Sequence, residues 1–217
     1  MVDDQKKILE VKGVTKRYRA GKTVFSGVNR TFGPGDGVLL SGPNGSGKTT
    51  FLKLLSVNTF PTEGSIHYGK LNIHEKPYDY LEHVGLVHDE EGLPLHLSAA
   101  ELLEWVLRSR EQWNEKAVNR IHSLLDHLEL DEARDDEIGT YSTGMKKKTQ
   151  IAAAMITDPE ILILDEPLRG LDTTATQKTI TLLEKAIKRG AIVLMASHSR
   201  TQVEETGLFG ELMEFPL

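Results

Sequence analysis

Residues 42–49 read Gly42-Pro43-Asn44-Gly45-Ser46-Gly47-Lys48-Thr49. This stretch fits the phosphate-loop pattern, in which a glycine and four free positions precede Gly-Lys-Ser or Gly-Lys-Thr. The apolar residues 38–40 predict a short buried strand before it, and the apolar spacing from Thr50 onward predicts a helix after it. The alternative is a glycine-rich turn that meets the pattern by chance. The flanking strand and helix favour a site for a nucleoside triphosphate.

Each residue type in this loop has a physical role in phosphate binding. Glycines at positions 42, 45 and 47 allow backbone conformations that point successive N–H groups at phosphate oxygens. The helix that follows adds unpaired N–H groups and the positive end of its dipole. Lys48 would place a positive charge on the β- and γ-phosphates, and the Thr49 hydroxyl would bind Mg²⁺. The predicted nucleotide-binding residues are therefore 42–50.

Composition and charge limit the remaining function classes. The 217 residues suffice for one well-buried domain with an inserted lobe, and the formal net charge of −6 argues against a dedicated nucleic-acid binder. The sequence has no cysteine, which excludes disulfides and thiolate metal sites. It also shows no apolar run of membrane-spanning length and a polar start unlike a secretory signal. We therefore expect a cytosolic protein whose membrane contact is supplied by another polypeptide.

Hydrophobic periodicity predicts an α/β fold. Alternating stretches at residues 8–14 and 24–32, separated by turn residues, predict a small antiparallel sheet laid against the nucleotide core. Short apolar strands alternate with amphipathic helices, which predicts a parallel core. These strands are residues 38–40, 84–87, 161–164 and 191–196.

The predicted domain organisation is a single domain of residues 1–217. Helical periodicity dominates residues 89–157, where residues 98–101 resemble a helix-capping box. This segment is predicted as a helical subdomain inserted between the core segments 1–88 and 158–217.

Three further predictions concern residues inside the helical segment. Trp105 and Trp113 are expected to pack within it, because large aromatic side chains bury most of their surface. The three lysines at 146–148 are expected to form a solvated helix face rather than a nucleic-acid patch, because no aromatic residues lie between them.

Two adjacent carboxylates, Asp165 and Glu166, follow the apolar strand of residues 161–164. Ligands of open parallel sheets bind at the carboxyl ends of the strands. A triphosphate site needs an acidic group near Mg²⁺ and a base or polariser for the attacking water. We therefore expect Asp165 to face the metal and Glu166 to face the water. Two solvated carboxylates at a turn are the alternative.

With these residues the chain resembles the nucleotide-binding subunits of ATP-binding-cassette (ABC) transporters, over nearly its whole length. The phosphate loop matches the family's Walker A motif, and the Tyr-Ser-Thr-Gly-Met of residues 141–145 matches its signature. Residues 161–166 match the Walker B strand with the catalytic glutamate, residues 170–172 the D-loop, and His198 the switch histidine. Tyr18 falls where the family stacks an aromatic ring on adenine, although a half-exposed strand tyrosine is the alternative.

The resemblance implies a P-loop NTPase core of the RecA-like kind, with an antiparallel β subdomain and an inserted α-helical subdomain. It implies ATP and Mg²⁺ as cofactors. It also implies a head-to-tail homodimer or heterodimer, in which each ATP lies between the phosphate loop of one subunit and the signature of the other. A separate transmembrane subunit would be the partner that this dimer drives.

Further roles follow from the resemblance residue by residue. Ser142, Thr143 and Gly144 lie at the predicted start of a helix, where a hydroxyl and free N–H groups would meet the phosphate held by the other subunit. His198 would contact the γ-phosphate and orient the water together with Glu166. Lys48 completes the catalytic set.

Several positions differ from the family's usual residues. Thr143 and Met145 stand where glycine and glutamine are most frequent, and the first of these changes resembles subunits of export-type systems. Asp89 falls at the position of the Q-loop glutamine, where its carboxylate is predicted to bind Mg²⁺ or water. Leu168 and Arg169 replace small polar residues before the D-loop, which favours altered contacts across the dimer.

These observations predict an ATP-hydrolysing subunit that drives a separate transmembrane subunit through ATP-dependent dimerisation. Such a subunit would lie at the inner face of the cell membrane and contact it only through that partner. Two alternatives stay open. One is a soluble ABC-type ATPase that acts on a ribosome, DNA or an assembly complex. The other is a nucleotide-sensing subunit that hydrolyses ATP poorly. The unusual residues Asp89 and Arg169 are the reason to consider it.

Overall fold

The computed structural model describes residues 7–18, 21–89, 92–197 and 207–217. Strands predominate in the first 90 residues, three helices follow, and a short 3₁₀ turn at Ile138–Thr140 precedes the third of these helices. In chain order the elements are β1 (Leu9–Arg17), β2 (Thr23–Phe32), β3 (Gly37–Ser41), α1 (Lys48–Leu55), β4 (Glu63–Tyr68), β5 (Leu71–Asn72), α2 (Pro77–Leu81), β6 (Val84–Val87), α3 (Ala99–Ser109), α4 (Ala117–His127), α5 (Thr143–Met155), β7 (Ile161–Asp165), α6 (Thr173–Lys188), β8 (Ile192–Ala196) and β9 (Glu211–Glu214).

The first sheet is antiparallel and has the strand order β2-β1-β4-β5 in the described part of the chain. Leu9 of β1 lies opposite Phe32 of β2 on one side and Tyr68 of β4 on the other. The register shifts near residues 11–17, where the strand carries Gly13 at a φ of 58°. Register shifts of this kind are β-bulges, which bend a strand. They explain why buried and exposed residues do not alternate strictly along β1. The antiparallel sheet predicted from residues 8–14 and 24–32 is therefore present.

The second sheet is parallel, with the order β6-β7-β8-β3-β9 among the described strands. Every residue of β3, β7 and β8 is buried, because helices or the other sheet cover both faces. Ala196 of β8 pairs with Leu40 of β3 and with Asp165 of β7. The carboxyl ends of β3 and β7 are therefore level, one strand apart. The loop after β3 and the carboxylates at the end of β7 must lie at the same edge of the sheet.

Helix α1 is fixed between the two sheets by aromatic contacts. The ring of Phe51 meets Phe25 of the antiparallel sheet edge-on, with centroids 5.9 Å apart, and Phe215 from the C-terminal segment at 5.8 Å. All three rings are buried. Edge-to-face pairs of this kind add stabilisation beyond the area that they bury. The start of α1, which follows the phosphate loop, is thereby held firmly against the parallel sheet.

The helices α3, α4 and α5 fall within the predicted helical segment, residues 89–157, whose division from the core stays a prediction. Helix α3 begins with a complete capping box, in which Ser98 and Glu101 bond each other's backbone. Helix α5 lies directly on β6 at Gly85. A Cβ atom added at Gly85 would come within 2.1 Å of the carbonyl oxygen of Ala154. Glycine is therefore required for this close approach of α5 to the sheet.

Two expectations for the helical segment are wrong. Trp105 does not pack, because 63% of its surface is exposed on α3, whereas Trp113 is partly buried and stacks on the Arg108 guanidinium at 4.2 Å. The lysines at 146–148 do not form one solvated face. Lys147 is buried and donates a hydrogen bond to the carbonyl of His88, because the α5 face that carries it packs toward β6.

Within the described residues, no helix combines the length and the apolarity that a membrane span requires.

Candidate nucleotide-binding site

The loop between β3 and α1 depends on glycine at two positions. Gly42 has a φ of 148°, and a Cβ atom there would lie 2.5 Å from the carbonyl oxygen of Phe215. Gly47 has a φ of 113°, and its Cβ would lie 2.8 Å from a methyl group of Val24. Larger residues would meet both backbone strain and a clash at these positions. The remaining loop residues, among them Pro43, Asn44, Gly45 and Ser46, line a cavity of about 750 Å³.

Lys48 closes this loop on itself. Its buried amine donates hydrogen bonds to the carbonyl oxygens of Gly42 at 2.7 Å and Pro43 at 3.1 Å. Lys48 is also the first residue of α1, where Gly47 provides no side-chain cap and the first turn carries no acidic residue. The N–H groups at this end of α1 are therefore left to a ligand, and the positive end of the helix dipole favours an anion.

Thr49 and Asp165 meet beside the loop. The two side chains border the same space. Burial raises the pKa of Asp165, the neighbouring Thr49 hydroxyl works in the opposite direction, and the nearby charge of Asp89 raises this pKa further. All three residues line a second cavity, of about 330 Å³.

The oxygen donors of this second cavity fit a magnesium ion. Mg²⁺ prefers carboxylate, hydroxyl and water oxygens, and in nucleotide sites it takes one or two carboxylates together with phosphate oxygens. Across the described residues, no group of three His, Cys, Asp or Glu side chains is placed so that it could bind a metal ion by itself. Thr49 and Asp165 therefore supply part of a coordination shell that nucleotide and water would complete.

Glu166 faces the loop from the end of β7. It has a φ of 51°, which is uncommon for a residue with a side chain, and its N–H group donates to the carbonyl of Ala196 at 3.0 Å. Its side chain is buried and lines the 750 Å³ cavity together with the phosphate loop. A strained backbone that directs a carboxylate into a cavity is typical of functional sites. The structure thus brings Glu166 and Lys48 to one cavity.

Tyr18 forms the outer wall of the same cavity, together with Thr50. About half of its surface is exposed, and its hydroxyl lies 3.5 Å from the Thr50 hydroxyl. The buried Lys16 amine lies 5.1 Å from the centre of the ring. A cation near one aromatic face holds the ring in place electrostatically. An exposed, held ring at the mouth of the cavity suits the predicted stacking on a base.

The signature residues lie at the start of α5. Ser142 caps this helix, because its hydroxyl accepts a hydrogen bond from the N–H of Met145 at 3.3 Å. Ser142 and Thr143 are exposed, and a Cβ at Gly144 would lie 3.3 Å from the carbonyl of Gly170. None of residues 142–144 is among the described residues that line the phosphate-loop cavity. One chain therefore does not bring its signature to its own loop. His198, the predicted switch histidine, lies outside the described residues.

The structure also joins two residues that the sequence presented separately. Arg169, from the segment after Glu166, forms an ion pair with Asp89, from the segment after β6. Both residues depart from the family's usual pattern, and their opposite charges were the one signal that could have predicted the contact. Next to Asp89, the carbonyl of His88 accepts the hydrogen bond from Lys147 of α5.

The fold and the site together define an ATP-binding cassette with a P-loop NTPase core. The sequence model of the family described as ABC transporter matches residues 25–169. This chain belongs to that family, and the fold class predicted from its sequence is confirmed.

Individual relatives cover nearly the whole of this chain. The cytochrome c biogenesis ATP-binding export protein CcmA 2 of Cupriavidus metallidurans is 31% identical, over 91% of this chain and 92% of its own length. The uncharacterised ABC transporter ATP-binding protein YcbN of Bacillus subtilis is 33% identical, over 91% of this chain. The chain spans 64% of the Bacillus protein, and only 23% of another curated relative that it matches.

Among solved structures, one similar to this chain is a dimeric ATP-binding cassette in a post-hydrolysis state, bound to ADP and Pi. Its sequence identity is 25% and its TM-score is 0.84, with 95% of this chain and 94% of that chain covered.

Proposed function

We propose that this chain is the ATP-hydrolysing subunit of an ABC transporter. It would drive a separate transmembrane subunit by ATP-dependent, head-to-tail dimerisation. The observation that carries the proposal is the separation of two groups in one chain. The phosphate loop and Glu166 share a cavity, whereas Ser142 and Thr143 of the signature are exposed and line no part of it. Two copies are needed to complete such a site.

ATP would bind with its phosphates in the loop of residues 42–50 and its base on Tyr18. Phosphate oxygens carry more negative charge than the two carbonyls that now accept from Lys48, so the Lys48 amine would turn to the β- and γ-phosphates. The uncapped N–H groups of α1 would bind phosphate oxygens from the same side.

Mg²⁺ would be held beside the phosphates by Thr49 and Asp165, with Asp89 facing its hydration shell. When bound, the cation neutralises charge on the phosphates. Thr49 and Asp165 line the same cavity, so oxygens from both residues face one position.

Hydrolysis would depend on Glu166, the carboxylate that faces the cavity from the edge of the parallel sheet. In this role it accepts a proton from the water that attacks the γ-phosphate, and His198 helps to orient that water. Its fixed backbone holds the carboxylate in one position relative to the phosphate loop.

The partner subunit would close the site with Ser142, Thr143 and Gly144 at the N-terminus of its own α5. The γ-phosphate then links two subunits, and its loss releases them. A homodimer is the simplest assembly, and a heterodimer with a second ATPase subunit follows the same geometry. Membrane contact, at the inner face of the cell membrane, would come through the transmembrane partner.

The test is the size of the protein with ATP and Mg²⁺, measured by light scattering on the Glu166→Gln variant. This variant lacks the proton acceptor, so it should bind ATP without hydrolysing it. We therefore expect a dimer with ATP and a monomer with ADP. A second substitution, Ser142→Arg, should abolish the dimer while each monomer still binds ATP. A Glu166→Gln protein that stays monomeric at saturating ATP would contradict the proposal.

A further inference from the structure

The ion pair between Asp89 and Arg169 has a specific geometry. One guanidinium nitrogen of Arg169 lies 2.6 Å from Oδ1 of Asp89, and the other donates a hydrogen bond to Oδ2 at 3.1 Å. Oδ2 thus accepts a hydrogen bond from the guanidinium group, and Oδ1 makes a close ionic contact with it. This two-point contact fixes the orientation of the carboxylate as well as its position.

The pair connects two segments that border the proposed metal position. Asp89 lines the 330 Å³ cavity that also contains Thr49 and Asp165. Arg169 belongs to the turn that begins at Glu166, because its N–H group donates to the Glu166 carbonyl at 3.3 Å. A side chain of the catalytic turn therefore reaches back to the rim of the metal cavity.

Stability of the fold is a poor explanation for this contact. The side chain of Arg169 is 61% exposed, and ion pairs between exposed side chains contribute little to folding. The geometry is nevertheless two-pronged, and it orients a carboxylate that faces a cavity with two oxygen ligands. A role in placing Asp89 accounts for both observations.

We propose that Arg169 is a positioning residue, which holds the Asp89 carboxylate toward the hydrated cation of the bound nucleotide. The inference rests on the proposed function and adds a residue to its site. Arginine holds the Asp89 carboxylate from one side, and the remaining lone pair of Oδ2 accepts from water bound to the cation. From the other side, Lys147 fixes the same segment through the carbonyl of His88. Asp89 and Arg169 then act as one unit at the position where the family usually has a neutral side chain, the Q-loop glutamine.

The experiment measures how much the cation strengthens nucleotide binding. The affinity for a non-hydrolysable ATP analogue is determined with Mn²⁺ and again with EDTA. The ratio of the two affinities gives the contribution of the metal to nucleotide binding. Electron paramagnetic resonance of the bound Mn²⁺ reports its ligand shell directly. We expect Arg169→Ala and Asp89→Ala each to lower the ratio about tenfold, the scale seen when residues that orient metal ligands are removed. The double variant should lose no more than either single one.

Two further variants separate positioning from folding. Arg169→Lys keeps the charge but loses the two-point contact, so it should recover only part of the ratio. The exchanged pair, Asp89→Arg with Arg169→Asp, restores the ion pair but removes the carboxylate from the cavity, so the ratio should stay low while thermal stability stays close to that of wild type.

Each outcome decides the inference. An unchanged ratio in Arg169→Ala, with normal affinity in EDTA to show that the protein is folded, would overturn it. An exchanged pair that restores the ratio would also overturn it, because the role would then be structural. A wild-type protein that binds no ATP analogue under either condition would overturn the proposed function, and this inference with it.

Discussion

Lys48 shows at the scale of one residue how the chain prepares its site. Its amine is buried and is satisfied by two carbonyl oxygens of the loop that it follows. A buried ammonium without such acceptors would be costly, so the loop closes on the lysine before a ligand arrives. Phosphate oxygens are stronger acceptors than carbonyls and would replace them.

Replacing Lys48 with Ala should weaken ATP binding and remove turnover. The loss of a charge-assisted contact worth about 1.5–3 kcal/mol predicts an affinity roughly 10- to 100-fold lower. Titration calorimetry measures the affinity, and phosphate release measures the turnover. Lys70→Ala, at an exposed lysine of the antiparallel sheet, is the matched control. Hydrolysis at the wild-type rate in the Lys48 variant would show that the loop is not the phosphate site.

Asp165 should make the nucleotide-free protein less stable at neutral pH. Burial raises its pKa in the folded chain, so the folded chain disfavours the ionised form. This penalty is present in full above the folded pKa and disappears as the pH falls below the unfolded pKa. Asp165→Asn, which removes the charge and keeps an acceptor for Thr49, should therefore melt higher than wild type at pH 7.

The measurement is the difference in melting temperature between Asp165→Asn and wild type over a pH series. We expect the difference to shrink as the pH is lowered. Asp126→Asn, at an exposed position of α4, provides the comparison for a surface charge. A difference that grows toward acidic pH would mean that Asp165 is stabilised in its ionised form.

Individual residues differ in how far the sequence alone could place them. Lys48, Thr49 and Glu166 line one cavity, and the sequence indicated their proximity because a loop motif and a strand end meet at one sheet edge. The contact between Asp89 and Arg169 was not predicted, because it joins segments 80 positions apart without any local pattern. The burial of Lys147 was missed for the same reason, since a run of lysines carries no information about which one faces the sheet.

At the scale of elements, α5 links the signature to the core. Its first turn is exposed at Ser142, and its last turn lies on β6 through Gly85 and Ala154. The middle of the helix is tied to the segment after β6 by Lys147. A shift of α5 would therefore change the exposed start of the signature and the segment of Asp89 together.

Gly85→Ala should destabilise the protein, because the new methyl group would overlap the Ala154 carbonyl at 2.1 Å. Overpacking against backbone typically costs about 1–3 kcal/mol. Urea unfolding measures the change. At Gly210 a Cβ atom would meet open space, so Gly210→Ala should stay within about 0.5 kcal/mol of wild type. Equal stability of the two variants would show that α5 does not approach β6 this closely.

Elements with strong periodicity were predicted well, and those defined by pairing were not. The apolar strands at 161–164 and 191–196 correspond to β7 and β8, because burial on both faces leaves a continuous apolar run. Strand β9 was not predicted. It is short and exposed at three of its four residues, so only its pairing with β3 identifies it.

At the scale of the whole molecule, the central claim is a site shared between two chains. The phosphate loop and Glu166 face one cavity of about 750 Å³, and the helix start that would close it lies outside that cavity in the same chain. Symmetric pairing of two copies would place each signature on the other copy's loop. In the proposed cycle ATP would hold the pair together, and its hydrolysis would end the contact.

Mixing two inactive variants tests this claim most directly. Lys48→Ala destroys the loop and Ser142→Arg the signature, so each homodimer has no intact site. A mixed dimer has one, formed by the loop of the Ser142 variant and the signature of the Lys48 variant. If the site is shared, an equimolar mixture should recover about a quarter to a half of wild-type ATP hydrolysis. Random pairing makes half of the dimers mixed, pairing of unlike chains alone makes all of them mixed, and each mixed dimer has one of two sites. A mixture that stays as inactive as its components, or a Ser142→Arg protein that is fully active alone, would contradict the account.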